Sequence, residues 1–255
     1  GVSERLGSSR WGIESLTKML LRDMPKPENP VALDVACGTG LSTFTLHEYL
    51  GGEVHGVDLS PDMVLKAREN TKPLGLGIEF REGDVEALPY PDDKFNTIIS
   101  NMSFHFFPDK LQALKEMKRV LAPGGMMGHL YGGGTHLKEL IQVCLDVSES
   151  RPEYKEFRES VQDVVDLHIG LEKTQQLLWE AGLRKPLVYG YHRVMTVKPE
   201  MFWVNNPYPG YWRSAVPENL RGKLDKDVLD LMKKRSGPRG FKITWYTIQA
   251  YVSKT

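Results

Sequence analysis

The chain is short of the residue that staples small extracellular domains: it has two cysteines, Cys37 and Cys144, in 255 residues. Two thiols build no disulfide framework, and without other ligands they complete no four-ligand zinc site. A reduced, cytoplasmic setting is the simplest expectation. Excess charge of either sign is lacking too, because 33 Lys and Arg balance 33 Asp and Glu. Affinity for a phosphate backbone comes largely from clustered basic residues, so no nucleic-acid partner is expected. No apolar run approaches the roughly 20 residues a membrane span needs, and no signal-peptide core opens the sequence. Repeats and low-complexity tracts are missing, and no His, Cys, Asp and Glu cluster has metal-ligand spacing, so no metal is expected. Nothing in the sequence reports the oligomeric state.

What the chain does have is length enough for one large domain with insertions, and a regular alternation in its first half. "VALDV" (31–35) is a short apolar run, followed by a turn and a helical "LSTFTLHEYL" that stops at Gly51-Gly52. "EVHGVDL" (53–59) reads as a second strand. Ser60 then caps a helix with Pro61 in its first position. "IEFREGDV" (78–85) and "FNTIISNM" (95–102) read as the third and fourth strands. "DKLQALKEMKRVL" (109–121) carries Leu111, Leu114, Met117 and Leu121 on one helical face. "APGG" breaks it, and "MMGHLY" follows as a fifth strand. Alternation at this spacing implies right-handed crossovers and a parallel, doubly wound α/β sheet. Such sheets bind ligands at the carboxyl ends of their strands.

The turn after the first strand, "LDVACGTGLST", places Gly38 and Gly40 at that edge. Without a Cβ, the backbone there can take left-handed dihedrals and let a ligand lie close. A dinucleotide fingerprint would have a third glycine where this chain has Thr43, which weakens a nicotinamide reading. Asp58 closes the second strand about 20 residues further on, and a carboxylate there suits two ribose hydroxyls. Asp84, ending the third strand, suits the exocyclic amino group of a purine. His105, in "SFHFF" just past the fourth strand, is a candidate general base, since its ordinary pKa lies near neutrality. Cys37 reads as small apolar packing.

These residues resemble the class I S-adenosylmethionine-dependent methyltransferases. "LDVACGTG", "HGVDLSPDMV", "EGDVEALPYPDDKFNTIIS" and "FHFFPDKLQALKEMKRVLAPGG" are similar to that family's motifs, in order, from about residue 30 to 131. The resemblance implies a seven-stranded Rossmann-like sheet with its last strand antiparallel, and S-adenosyl-L-methionine as cofactor. It implies that Gly38 and Gly40 border the methionine part while Asp34 orients their loop. Ala36 belongs to the same loop, Asp58 would hold the ribose, and Leu59 and Met63 would lie against the adenine. Asp84 and Val85 would read the adenine edge, and backbone near Asn101 would meet the amino-acid end.

Past residue 131 the likeness fades. The whole chain reads as one methyltransferase domain: an N-terminal helical lid (1–29), a cofactor core (30–131) and two cap insertions (132–167 and 198–240). A helix, "LEKTQQLLWEAGL", leads to a sixth strand "LVYGYHRVMTV", and "FKITWYTIQAYV" (241–252) is the seventh. The second insertion contains "MFWVNNPYPGYWR", where proline and glycine predict an irregular loop. Tyr208, Tyr211 and Trp212 combine apolar bodies with polar tips and are candidate acceptor-binding residues, a cap core being the alternative. Downstream, "ENLRGKLDKDVLDLMKKR" reads as an amphipathic lid helix. The expected activity is methyl transfer to a small-molecule O, N or C acceptor. Carboxyl methylation of a carrier-bound acyl chain and a non-catalytic cofactor-binding module are the alternatives.

Overall fold

The computed structural model describes residues 10–149 and 151–255, so the first nine residues of the expected N-terminal lid lie outside the described residues. Seven strands form one sheet: β1 (Val31–Val35), β2 (Glu53–Asp58), β3 (Glu79–Glu82), β4 (Phe95–Asn101), β5 (Leu121–Gly132), β6 (Leu187–Val197) and β7 (Phe241–Ser253). The described helices are α1 (Arg10–Arg22), α2 (Leu41–Leu50), α3 (Pro61–Thr71), α4 (Lys110–Val120), α5 (Lys138–Glu149), α6 (Lys155–Leu167), α7 (Leu171–Glu180), α8 (Pro199–Asn205), α9 (Pro207–Ser214) and α10 (Glu218–Lys234).

The strand order is β3-β2-β1-β4-β5-β7-β6. The first five strands run parallel, with Ala32 set between Val54 and Thr97 in register. Order reverses between β1 and β4, so the carboxyl end of β1 opens at the switch point where doubly wound sheets bind ligands. The last strand is antiparallel: Gly124 N donates to Lys254 O while Gly133 N donates to Tyr246 O, so numbers fall along β7 as they rise along β5.

One strand departs from the expectation. Helix α4 passes into β5 at Leu121, not after "APGG", because Phe95 pairs with Leu121 and Thr97 with Met126. Between these two pairs one residue of β4, Asn96, faces four of β5, and Ala122 to Gly125 are accommodated in a bulge, with Gly124 at φ 77. The third strand is shorter than expected, since Asp84 turns the chain into a 3-10 segment, Val85–Ala87.

Two compact units are present. The first takes in the described residues up to Tyr131, with Gly170–Gly190 and Ile248–Thr255. Its core packs Leu20, Leu21 and Met24 of the N-terminal segment against Leu46, Ile99, Leu130 and Tyr251. The second comprises Gly132–Ile169 and Tyr191–Thr247. Its interior holds Trp203 and Trp212, both fully buried. Trp203 Nε1 donates to Asp225 at 2.7 Å, and Arg213 binds the other oxygen of that carboxylate at 2.6 Å. "NPYPGYW" is helical, contrary to the irregular loop expected. Asn206 caps α9 by accepting from Tyr208 N at 3.0 Å, and prolines in the first turn remove only amides that have no intrahelical acceptor.

Candidate cofactor site

In the first unit, hydrogen bonds tie the carboxyl ends of four parallel strands into one edge. Cys37 N donates to Val57 O at 3.0 Å, and Gly38 N donates to Asp58 Oδ2 at 2.7 Å, joining the β1 loop to the end of β2. Gly83 N donates to Asp58 O at 3.0 Å, bringing in β3. Ser103 Oγ lies 3.4 Å from Ala36 O, bringing in the segment after β4. Asp34, Ala36, Gly38, Gly40, Asp58, Asp84 and Asn101 lie on or beside this edge.

The two loop glycines do different work. Both have left-handed backbones, φ 55 at Gly38 and 84 at Gly40. A Cβ on Gly40 would stand 3.1 Å from Ala67 Cβ and from Phe80 Cζ, so that glycine serves packing of the loop on α3 and β3. A Cβ on Gly38 would meet nothing within 4 Å. Its bare backbone faces open space, the geometry a closely approaching ligand requires.

Asp58 is held in place by accepting from Gly38 N through Oδ2 and from Ser60 N through Oδ1, at 2.7 and 3.0 Å. A carboxylate has about four lone-pair positions, so two are left for further donors. Next to it, Leu59 is 68% exposed and Met63 43% exposed, two apolar side chains left uncovered beside a carboxylate. Asp84 is exposed; its Oδ1 caps the following turn at Glu86 N, 2.9 Å away, and leaves Oδ2 open. Exposed apolar side chains following one anchored carboxylate, with a second carboxylate ending the neighbouring strand, are the groups an adenosine needs, whose base is flat and whose ribose and amino groups are donors.

Asp34 is fully buried, and Oδ2 accepts from Ser42 Oγ at 2.6 Å and Thr43 Oγ1 at 2.7 Å. The residue that breaks the dinucleotide pattern thus clamps the first turn of α2 to β1. Burial is the largest influence on this carboxyl and raises it to about 7, outweighing the two hydroxyl donors. Burial, then the charges of Asp34 and Asp58, push the Cys37 thiol well above its ordinary value, which suits packing rather than nucleophilic chemistry. Asn101 is used structurally: its amide nitrogen donates to Thr17 Oγ1 at 2.8 Å and Ile13 O at 3.3 Å, pinning the N-terminal helix to the end of β4.

His105 is fully buried in the 3-10 segment Phe104–Phe106, with its ring 4.1 Å from that of Phe106. Sequence reasoning missed a second histidine of this unit, His129 in β5. Its ring stacks on Phe104 at 4.6 Å, and burial pushes its pKa down to about 4, so it is neutral near pH 7. Ser103 was missed as well; its signal was a small hydroxyl directly after the fourth strand. In the second unit, Tyr208 and Trp212 are buried and Tyr211 is 53% exposed. Among the described residues, no three His, Cys, Asp or Glu side chains are grouped to hold a metal, and no helix is long and apolar enough to cross a membrane.

Residues 32–125 match the family described as a methyltransferase domain. The chain is 33% identical over 195 residues to the demethylmenaquinone methyltransferase of Lysinibacillus sphaericus, covering 71% of this chain and 79% of that protein. It is 34% identical over 182 residues to the enzyme of the same name from Staphylococcus haemolyticus, covering 66% and 74%. Among solved structures, it is similar to an S-adenosylmethionine-dependent methyltransferase from Aquifex aeolicus, with a TM-score of 0.59 and 19% identity over 100% of this chain and 97% of that one. It also resembles a phosphoethanolamine N-methyltransferase from Haemonchus contortus, with a TM-score of 0.62 and 17% identity over 96% of this chain and 53% of the other.

Proposed function

Since the chain belongs to the class I S-adenosylmethionine-dependent methyltransferases, we propose that it moves the methyl group of S-adenosylmethionine to a small acceptor of the demethylmenaquinone class. The observation that carries the acceptor is the extent of the likeness. The cofactor motifs end near residue 125, yet the match to the Lysinibacillus enzyme runs over 195 residues and so takes in a long stretch beyond them.

In this reading the first unit holds the cofactor. Asp58 takes the ribose hydroxyls on its spare lone pairs, and Leu59 and Met63 cover the adenine. Asp84 and Val85 meet the adenine edge. The open backbone at Gly38, with Ala36 and the main chain near Asn101, receives the methionine portion. When bound, the cofactor supplies a methyl carbon already activated by positive sulfur. The protein's task is alignment, and orientation of this kind lowers a barrier by about 7–11 kcal/mol. His105 is the proposed base, taking a proton from the acceptor if a hydroxyl must ionise before carbon or oxygen attacks. Tyr208, Tyr211 and Trp212 are the proposed acceptor contacts of the second unit.

The test is methyl transfer itself. Incubation with S-adenosylmethionine labelled in its methyl group and a short-chain demethylmenaquinol should yield labelled menaquinol. Label that appears on no small molecule from a panel of hydroxylated naphthalenes and quinols would remove the proposal.

A further inference from the structure

Five non-glycine residues among the described ones have left-handed backbones, and two of them follow neighbouring strands of the sheet. Ala36 comes directly after β1 at φ 56, and Met102 directly after β4 at φ 58. This region crowds the Cβ of an L residue against its own backbone, so such a turn persists only where its surroundings hold it. Strand order reverses between β1 and β4, so both strained turns stand at the switch point of the sheet.

Main-chain bonds hold each turn from outside. Cys37 N donates to Val57 O at 3.0 Å, and Met102 N donates to Leu130 O at 2.6 Å. These tie the first turn to β2 and the second to β5, the strands on their far sides. Ser103 joins the two turns to each other. Its Oγ lies 3.0 Å from Asn101 O and 3.4 Å from Ala36 O, and Ser100 Oγ donates to it at 3.4 Å. A hydroxyl has one proton, so with Ser100 on its acceptor side Ser103 donates into the space between two carbonyls.

The serine gives up another role to do this. It stands at the N-cap of the 3-10 segment Phe104–Phe106, where a serine hydroxyl ordinarily accepts from an amide of the first turn, and it makes no such bond. Backbone alone closes that segment, Phe106 N donating to Ser103 O at 2.8 Å and Phe107 N to Phe104 O at 3.3 Å. Ser103 and Asn101 are both buried, so bulk water is a poor substitute for the hydroxyl.

We propose that Ser103 is a positioning residue, whose hydroxyl straps the turn after β4 to the turn after β1 and so sets their spacing for the amino-acid portion of the cofactor. Alanine there would leave two carbonyl dipoles with no donor between them, and the turns would part. Adenosine, assigned to Asp58 and Asp84 further along the edge, does not depend on the strap. The inference rests on the reading of this edge as the cofactor site, and it names the side chain that fixes one part of it.

The experiment compares S-adenosylhomocysteine with 5′-methylthioadenosine, which keeps the adenosine and the thioether but has no amino-acid portion. Both are titrated calorimetrically into the full chain. The readout is the ratio of the two affinities, in which any unfolded fraction of a variant cancels. The wild type should favour S-adenosylhomocysteine by about 10- to 150-fold, the range for hydrogen bonds to a charged group. Ser103→Ala should cut that preference by about tenfold, the equivalent of one hydrogen bond, through weaker binding of S-adenosylhomocysteine. Ser103→Thr keeps the hydroxyl and should hold the preference within about threefold of wild type. Should alanine not fold, Ser103→Cys keeps the shape with only a weak donor and should cut the preference by about fivefold. An alanine or cysteine variant that weakens both ligands equally makes Ser103 a purely structural residue and overturns the inference. So does a folded variant that keeps the wild-type preference, or a wild type that binds the two ligands equally. A wild type that binds neither ligand removes the cofactor reading itself, and this inference with it.

Discussion

Replacing Gly38 and Gly40 separately by alanine should damage the protein in two different ways. Each residue has a left-handed backbone, at φ 55 and 84, where an L side chain costs about 1–2 kcal/mol. Alanine also restricts the unfolded chain, which returns about 0.4–1 kcal/mol. Gly38→Ala meets no neighbouring atom, so its net loss of stability is about 1 kcal/mol. Gly40→Ala brings a methyl to 3.1 Å from Ala67 Cβ and Phe80 Cζ. Crowding in a packed region adds about 1–3 kcal/mol, for a total of about 2–4. Cofactor affinity should show the reverse order. The new methyl at position 38 stands in the space assigned to the methionine portion, and S-adenosylhomocysteine should bind at least about tenfold more weakly, a loss of about 1.4 kcal/mol. The folded fraction of Gly40→Ala should bind within about threefold of wild type. Urea denaturation followed by circular dichroism reads the first quantity, and calorimetric titration reads the second. A Gly38→Ala variant with wild-type affinity, or a Gly40→Ala variant no less stable than it, would refute the division of labour between the two glycines.

Three further outcomes follow from the same edge. Asp58→Ala should lower S-adenosylmethionine affinity by roughly 10- to 150-fold, the equivalent of about 1.5–3 kcal/mol for hydrogen bonds to a charged group; a folded variant with unchanged calorimetric affinity removes the ribose assignment. Asp34 titrates near 7 in the folded chain, against an ordinary value of 3.8, so the folded state binds its proton more tightly. That contribution to stability is complete below about pH 4 and is lost as pH rises towards 7. Asp34→Asn cannot ionise and should flatten the stability profile across that window, and urea midpoints that fall equally in both proteins contradict the assignment. His105→Ala should depress turnover by about 10²–10⁴ if the imidazole removes a proton from the acceptor, with cofactor affinity unchanged; a loss under about threefold makes His105 a packing residue.

Much of the candidate cofactor edge, as a piece of backbone, is legible in the sequence because its geometry is set locally. Two glycines after an apolar run, an aspartate closing the next strand and Ser60-Pro61 opening the next helix each encode their own geometry within a few residues. The capping of α3 by Ser60, whose hydroxyl accepts from Met63 N, is an instance. What the pattern hides is pairing across distance. Nothing near Thr43 indicates that its hydroxyl binds Asp34, or near Asn101 that its amide anchors Thr17. The bulge in β5 is invisible because "APGG" reads as a break, whereas its neighbours in β4 hold both flanks in register. The helix at 207–214 was hidden because proline tolerated in a first turn looks like proline that ends a helix. Ser103 reaches back across 67 residues to Ala36, and no periodicity links the two. Aromatic density did point to the second insertion, but Trp203 and Trp212 proved to be interior and only Tyr211 is substantially open.

The most direct measurement is a crystal structure of the chain with S-adenosylhomocysteine bound. The ribose hydroxyls should lie within about 3.2 Å of the Asp58 carboxylate, with the adenine against Leu59 and Met63 and its amino group at Asp84. The homocysteine portion should run over Gly38. A ligand bound elsewhere, or a ribose with no hydrogen bond to Asp58, would contradict the account of this edge as the cofactor site.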